Sequence, residues 1–315
     1  MITFTIWVFF LMIALFVLVR GADIFVEGAK QVGSSLGMSK FAIGVLIVGF
    51  GTSLPELASS LAAAWSGATE IVVANVVGSN IANILLVVGV LALLGGPIII
   101  KRDLIKSELP IFFISTALFL SVVVDGAIDR IEALLLLGVF AAYVWYLFAE
   151  AERSDDVDII RTGPRPKLQW KSILYIILGI LAVLFGAKYT VDMVINIATF
   201  LTVPVGLVSI IGIALGTSLP ELFVSLRSIQ EGETELAIGN IFGSNAFNIL
   251  VVVGIPGLII PLVADHVVMD LGLMILLASS AILFVAGLSR RIMRWEGVML
   301  LLFFGFFILK LTQFV

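Results

Sequence analysis

Glu56 and Glu221 are the residues of this chain least at home in their surroundings. Each follows the same five residues, Gly-Thr-Ser-Leu-Pro, and each lies deep inside a long apolar stretch. A charged side chain at the centre of a bilayer costs roughly 2.5–3.5 kcal/mol even on the lenient insertion scale. The usual remedy would be a basic partner. From Phe41 to Ile100 there is no lysine or arginine, and between Tyr189 and Ser289 there is only Arg227, near a helix end. Protons or bound cations are the remaining ways to neutralise the pair.

The residues beside the glutamates supply neutral oxygens. Proline removes a backbone donor and crowds the carbonyl four residues back, so Pro55 frees carbonyls near Gly51 and Thr52. A break in the helix is expected there, and again before Pro220. Non-helical backbone at membrane depth is tolerated where it is buried in protein or lines a water-filled cavity. Thr52 precedes Glu56 by four residues, which puts both on one helix face, and Thr217 and Glu221 repeat the spacing. Asn75, Ser79 and Asn83 form a second polar stripe at i, i+4, i+8, matched by Asn240, Ser244 and Asn248. With no cysteine and a single histidine, His266, the donors are carboxylate, amide, hydroxyl and carbonyl oxygens. Such a set suits hard cations such as Ca²⁺ and Na⁺, whereas transition metals favour nitrogen or sulfur.

The elements that carry these residues follow from composition. Of 315 residues 61% are hydrophobic and 13% charged, with a mean hydropathy of +1.22. A soluble domain could not dispose of that much apolar surface, and spanning a bilayer takes roughly 17–25 mostly apolar residues per helix. Apolar segments are expected near 3–19, 40–65, 71–95, 109–124, 131–149, 172–187, 203–226, 236–262, 267–288 and 295–313. The first reads as a spanning helix and not as a removable leader. The only strongly polar stretch lies between the fifth and sixth segments and reads as a solvent-exposed linker.

The two halves are copies. GTSLPEL begins at Gly51 and again at Gly216, and GSN begins at Gly78 and again at Gly243, an offset of 165 residues in both cases. The same offset relates Gly21 to Gly186, Gly67 to Gly232, Glu70 to Glu235 and Gly89 to Gly254. A gapless register of this kind marks a tandem duplication. Five segments per copy is an odd number, so the second copy enters the membrane from the opposite side, an architecture that recurs in secondary transporters. The expected fold is therefore all-α and integral to the membrane. It has ten transmembrane helices in two inverted five-helix repeats, with broken helices at a central site. The expected division is 1–150, a cytoplasmic linker at 151–170, and 171–315. With the N-terminus outside, only Arg130, Lys188 and Lys310 of the 18 basic residues face outward, in keeping with the positive-inside rule. Both termini are thus expected to be extracellular, in a multi-pass protein of the plasma membrane.

GTSLPE followed by GSN-x-x-N, once per half, resembles the paired alpha repeats of the calcium/cation antiporter superfamily, and sodium/calcium exchangers of prokaryotes in particular. The resemblance implies an antiporter that exchanges Na⁺ for Ca²⁺ by alternating access, electrogenically, with no enzymatic activity and no cofactor beyond the transported ions. Carried over by position, Glu56 and Glu221 are the shared acidic ligands. Thr52, Ser53 and Ser79 belong to one side of the site and Thr217, Ser218 and Ser244 to the other. The carbonyls of Gly49 and Ala214 match further sodium ligands, and Asn83 and Asn248 occupy the central positions. Some prokaryotic members carry aspartate where this chain has Asn248. Potassium-dependent members typically have an acidic residue there, which counts against potassium coupling. The linker is too short for the regulatory insertion of animal exchangers.

Other readings compete. Proton/calcium exchange is the alternative within antiporters, and a cation channel with a glutamate ring is the alternative outside them. An intramembrane protease would need aspartates in a Gly-x-Gly-Asp setting, which is absent. Ser53 and Ser218 could instead bond back within their own helices, and Asn75 and Asn240 could serve only to join helices. Gly67 and Gly232 read as turn residues, and Glu70, Glu231, Glu233 and Glu235 as solvated loop faces. The partners implied are Ca²⁺, Na⁺ and the lipid bilayer, with nothing that calls for nucleic acid or an obligate protein partner. The topology is open to a direct check. Cysteines introduced at Ser66 and Ser289 of this cysteine-free chain should react with an impermeant thiol reagent from outside and inside respectively. Labelling of both from one face would contradict the inverted arrangement.

Overall fold

Apolar residues run around the whole circumference of most segments because lipid, not water, is their solvent. Every backbone amide must then find its partner within the chain, which leaves helices as the economical solution. The computed structural model describes residues 2–101, 104, 108–153, 167–201 and 205–313. The first half begins with α1 (Ile2–Ser35) and α2 (Lys40–Ile43), which runs into a π-helical stretch, Gly44–Gly49. It continues through α3 (Phe50–Thr52), α4 (Leu54–Trp65) and α5 (Thr69–Ala82), then a π-turn at Asn83–Val87 and α6 (Val88–Leu94). The half ends with β1 (Ile98–Ile99), α7 (Glu108–Val122), β2 (Ala127–Ile128) and α8 (Arg130–Arg153).

The second half repeats the order. It comprises α9 (Trp170–Phe200), α10 (Val205–Gln230) and α11 (Thr234–Phe247), a π-turn at Asn248–Val252, and α12 (Gly254–Ile259). After these come β3 (Leu262–Val263), a π-turn at Val268–Gly272, α13 (Leu273–Ser289), β4 (Arg291–Ile292) and α14 (Arg294–Leu311). Among the described residues six helices are long and apolar enough to cross a membrane, or seven if the bent pair 40–52 and 54–65 is one span. The window over Thr234–Ile259 is wholly buried and that over Thr69–Leu94 is 78% buried, against 17% for Phe4–Ser35. The helices with the polar stripes therefore sit in the middle, and α1 faces lipid.

The duplication is visible in the strand pairs. β1 pairs antiparallel with β4 and β2 with β3, with Ile98 opposite Ile292 and Ala127 opposite Val263. Adding 165 to 98 gives 263, and adding 165 to 127 gives 292, so the two ladders are the same ladder seen from each half. β1 precedes α7 and β2 follows it, which sets the ladders at opposite ends of that helix. An operation that exchanges the halves therefore exchanges the ends of the bundle. The repeats are inverted.

Two expectations about the ends of elements need correction, and so does the reading of the loop glutamates. The first segment does not stop at residue 19, because α1 continues to Ser35, and the sixth runs from 170 to 200. The polar extension of α1 is held by ion pairs with the far end of α10. Arg227 bonds Asp23 at 2.7 Å and Glu231 at 3.0 Å, while Lys30 meets Glu231 and Glu233 at 3.2 and 3.5 Å. Lys40 adds a contact of 2.7 Å to Glu233, so Glu231 and Glu233 are paired and not simply solvated. Glu235 is buried and accepts the Lys101 N–H at 3.1 Å. Gly67 and Gly232 are turn residues as expected, with φ of +82° and +78°.

Helices α1 and α9 pack backbone to backbone. A Cβ on Gly179 would lie 2.5 Å from the Phe25 nitrogen, and one on Gly186 would lie 2.7 Å from the backbone of Leu18. Backbone cannot yield as a flexible side chain does, and overpacking typically costs about 1–3 kcal/mol. Gly138 on α8 has open space at the same position, where alanine gains up to about 1 kcal/mol of helix propensity. Gly179→Ala is thus expected to lower the melting temperature of the purified protein, and Gly138→Ala to hold or raise it. Equal shifts would mean that the α1–α9 contact is not this close.

Candidate functional site

The first glutamate is placed by a broken helix. Ser53 has φ −90° and ψ 8°, outside the helical range, and separates α3 from α4 with a bend of 43°. Pro55 falls in the first turn of α4, where its missing N–H leaves no bond unmade. Glu56 follows it into the interior with no exposed surface. The matching break is absent from the second half, where α10 is continuous and Pro220 sits inside it. Identical heptapeptides thus adopt two conformations.

Asn83 and Asn248 each open a π-turn. A π-turn inserts one residue into the helix and shifts the side chains that follow, and such turns are frequent at functional sites. Both asparagines are buried, at 1% and 0% exposure, and neither the nitrogen nor the oxygen of either amide has a hydrogen-bond partner. The same holds for both carboxylate oxygens of Glu56, for Glu221 Oε2 and for Ser218 Oγ. Roughly 90% or more of buried polar groups in proteins are paired, so this concentration of unpaired acceptors is the signature of a place meant for a ligand. No described lysine or arginine reaches either glutamate, since the ion pairs of the described residues gather at the α1–α10 end. Among the described residues no three acidic, histidine or cysteine side chains are placed to hold a metal ion together, so neutral oxygens must complete any cation's shell.

Those oxygens come from both halves. Ser53 Oγ donates to Glu221 Oε1 at 3.1 Å, across the molecule and not back into its own helix. Thr52 Oγ1 lies 3.4 Å from the Gly49 carbonyl, 3.2 Å from Asn240 Oδ1 and 3.4 Å from Ser244 Oγ. Ser244 Oγ in turn lies 3.3 Å from the Gly49 carbonyl. Ser244, expected on the side of Thr217 and Ser218, joins Thr52 and Gly49. The cause is packing. Gly44 and Gly49 face Gly239 and Gly243 so closely that a Cβ on Gly49 would sit 2.9 Å from the Ser244 nitrogen. Ser79 is buried and has a polar partner. The side chains of Thr217 and Ala214 lie outside the described residues.

Two residues of this network escaped the sequence reading. Ser60 and Ser225 bond the amide nitrogens of Asn75 and Asn240 at 3.0 and 2.7 Å, and those nitrogens also reach the main-chain carbonyls of Glu56 and Glu221 at 3.3 Å. Each serine lies four residues beyond its glutamate, and the offset of 165 relates the two. That repetition was the available signal. Asn80 and Asn245, inside the doubled GSN, are also buried with unpaired amide atoms.

A membrane-spanning helical bundle with a buried, all-oxygen, doubly acidic centre shared between inverted halves belongs to the class of ion transporters. The family model for sodium/calcium exchanger proteins matches residues 6–149 and 171–313, and the chain belongs to that family. It is 36% identical to the putative antiporter CaxA of Alkalimonas amylolytica, over 94% of this chain and 95% of that protein. It is 34% identical to the sodium/calcium exchanger MaX1 of Methanosarcina acetivorans, over 96% and 97% respectively. Among solved structures it resembles the sodium-calcium exchanger NCX_Mj soaked with zero Na⁺ and Ca²⁺, with a TM-score of 0.80, 28% identity and complete coverage of both chains.

Proposed function

We propose that this chain exchanges Na⁺ for Ca²⁺ across the plasma membrane by alternating access. The observation that carries the reading is the pair of buried carboxylates, one per half, with neutral oxygens around them and no base beside them. Glu56 and Glu221 together balance one Ca²⁺. Asn83, Asn248, Ser53, Ser218, Thr52, Thr217, Ser79, Ser244 and the carbonyls of Gly49 and Ala214 contribute the neutral ligands. A supply of oxygens beyond the carboxylates allows more than two Na⁺ to replace one Ca²⁺, and exchange is then electrogenic. The chain crosses the membrane ten times, divides at 1–150, 151–170 and 171–315, and has both termini outside. Family membership, the inverted repeat and the distribution of basic residues support this.

Two conformations of one heptapeptide supply the mechanism. The first copy is broken at Ser53 and the second runs on through Pro220. In an inverted duplication, exchanging those two conformations turns the access side over. The ions stay with the same carboxylates while the helices around them trade shapes.

Replacing either glutamate by glutamine leaves a divalent ion half balanced. Breaking a buried charge pair costs about 3–5 kcal/mol, or roughly two to four orders of magnitude in affinity. Glu56→Gln and Glu221→Gln are each expected to abolish sodium-driven Ca²⁺ uptake into proteoliposomes while leaving an extractable, folded protein. Retained flux in either variant would remove the assignment.

Because both ions must use the same carboxylates, rising Na⁺ is expected to weaken Ca²⁺ binding to purified protein without lowering its maximum. Calcium binding that ignored Na⁺ and fell only with acid would favour proton/calcium exchange. Uptake driven by a pH gradient in place of a sodium gradient would favour it equally.

A further inference from the structure

The asparagines of the site fall into two kinds. Asn83 and Asn248 have no protein partner, whereas Asn240 has committed every atom of its amide. Asn240 is wholly buried. Its nitrogen donates to Ser225 Oγ at 2.7 Å and to the Glu221 carbonyl at 3.3 Å. Its oxygen accepts from Thr52 Oγ1 at 3.2 Å and from Ser244 Oγ at 3.4 Å. One side chain thus links the main chain of an acidic residue in its own half to a hydroxyl of the other half.

The chemistry of the hydroxyl makes this link consequential. A threonine or serine hydroxyl has one proton and two lone pairs. It can coordinate a cation only if its proton points elsewhere, and in a dry interior the proton needs an acceptor. Besides each other and the Glu221 carboxylate, Thr52 and Ser244 have Asn240 Oδ1 and the Gly49 carbonyl as acceptors, and of all these only Asn240 Oδ1 is not itself proposed to face the ion. If the Gly49 oxygen turns to a bound ion, Asn240 Oδ1 still has two lone pairs and can hold both protons.

We propose that Asn240 is a positioning residue for the exchange reaction. It draws the hydroxyl protons of Thr52 and Ser244 away from the centre and so presents their lone pairs to the cation, while tethering the turn that carries Glu221. It does not touch the ion. Asn75 repeats the tethering end of the arrangement through Ser59, Ser60 and the Glu56 carbonyl. The inference rests on the reading of Thr52 as an ion ligand.

The test is a mutant cycle read by equilibrium binding, with Na⁺ titrated against Ca²⁺ on the purified full chain. Thr52→Val removes the hydroxyl, and Asn240→Leu removes the acceptor. Loss of a group that orients a metal ligand commonly weakens metal binding 10–100-fold. Each single variant is expected to weaken Na⁺ binding about 10-fold with the amount of Ca²⁺ bound at saturation unchanged. Adding Asn240→Leu to a Thr52→Val, Ser244→Ala background should weaken binding little further, because Asn240 acts through those two hydroxyls. Multiplied effects would overturn the proposal, since independent sites add in free energy. So would an Asn240→Leu protein of parental affinity. A merely structural role would lower the bound maximum and leave affinity alone, which also overturns it. Should Asn240→Leu fail to fold, Ser225→Ala removes the closest partner of Asn240 without touching an ion-facing oxygen. It should give a smaller weakening that vanishes in the Thr52→Val, Ser244→Ala background, and persistence there would overturn the proposal. An unchanged affinity in Thr52→Val alone marks the ligand reading as the point of failure, and the inference falls with it.

Discussion

The structure turns on two carboxylates buried in an apolar chain without a basic residue beside them. Desolvation penalises each charge, and their mutual repulsion penalises having both. Placing a lysine between them would relieve both costs and also fill the position of a cation. Among the described residues no lysine or arginine pairs with these acids, and the oxygens around them carry no charge. This constraint explains why the helices with the polar stripes are the most buried. Thr234–Ile259 is enclosed throughout, so Asn240, Ser244 and Asn248 meet protein and never lipid.

Duplication gives the site its symmetry, and the departures from symmetry are informative. The strand ladders, the π-turns at Asn83 and Asn248, and the tethers through Asn75 and Asn240 obey the offset of 165 residues. The broken helix at Ser53 does not, because its counterpart is continuous. The ion pairs that bind Asp23 and Lys30 to Arg227, Glu231 and Glu233 do not either, since Ala62, Ser66 and Ala68 stand where those last three residues would recur. One end of the bundle therefore has a charged clasp that the other lacks. Each exposed pair contributes only about 0–1 kcal/mol, yet together they favour one of two otherwise equivalent arrangements of the halves.

Much of this was legible in the sequence, for reasons that differ by residue. Glu56 and Glu221 stood out because a charge without a partner is anomalous in apolar surroundings, and the repeat confirmed their register without any contact being known. Gly67 and Gly232 were readable as turns because positive φ has a short list of tolerant residues. The extension of α1 to Ser35 was not, because its polar face is satisfied by residues some two hundred positions away. The partnership of Ser244 with Thr52 was equally hidden. Sequence spacing reports which side chains share a helix face, and says nothing of which helices cross. The continuity of α10 could not be read at all, since the same heptapeptide is broken in the first half.

The crossing itself depends on four glycines. Gly44 and Gly49 on one side and Gly239 and Gly243 on the other let two backbones approach until a Cβ on Gly44 would lie 2.3 Å from the Leu236 carbonyl oxygen. Small residues at membrane helix contacts allow such approach, and here its product is chemical. At this distance the Gly49 carbonyl, which also accepts the Ser53 N–H at 3.2 Å, lies beside a hydroxyl of the opposite half. The oxygens then belong to the interface between repeats and not to either repeat alone. On the proposed ligand set, a movement of one repeat against the other alters the ion's coordination, and a change in coordination bears on the position of the repeats. On that proposal, this mutual dependence couples ion occupancy to the side from which the site is reached.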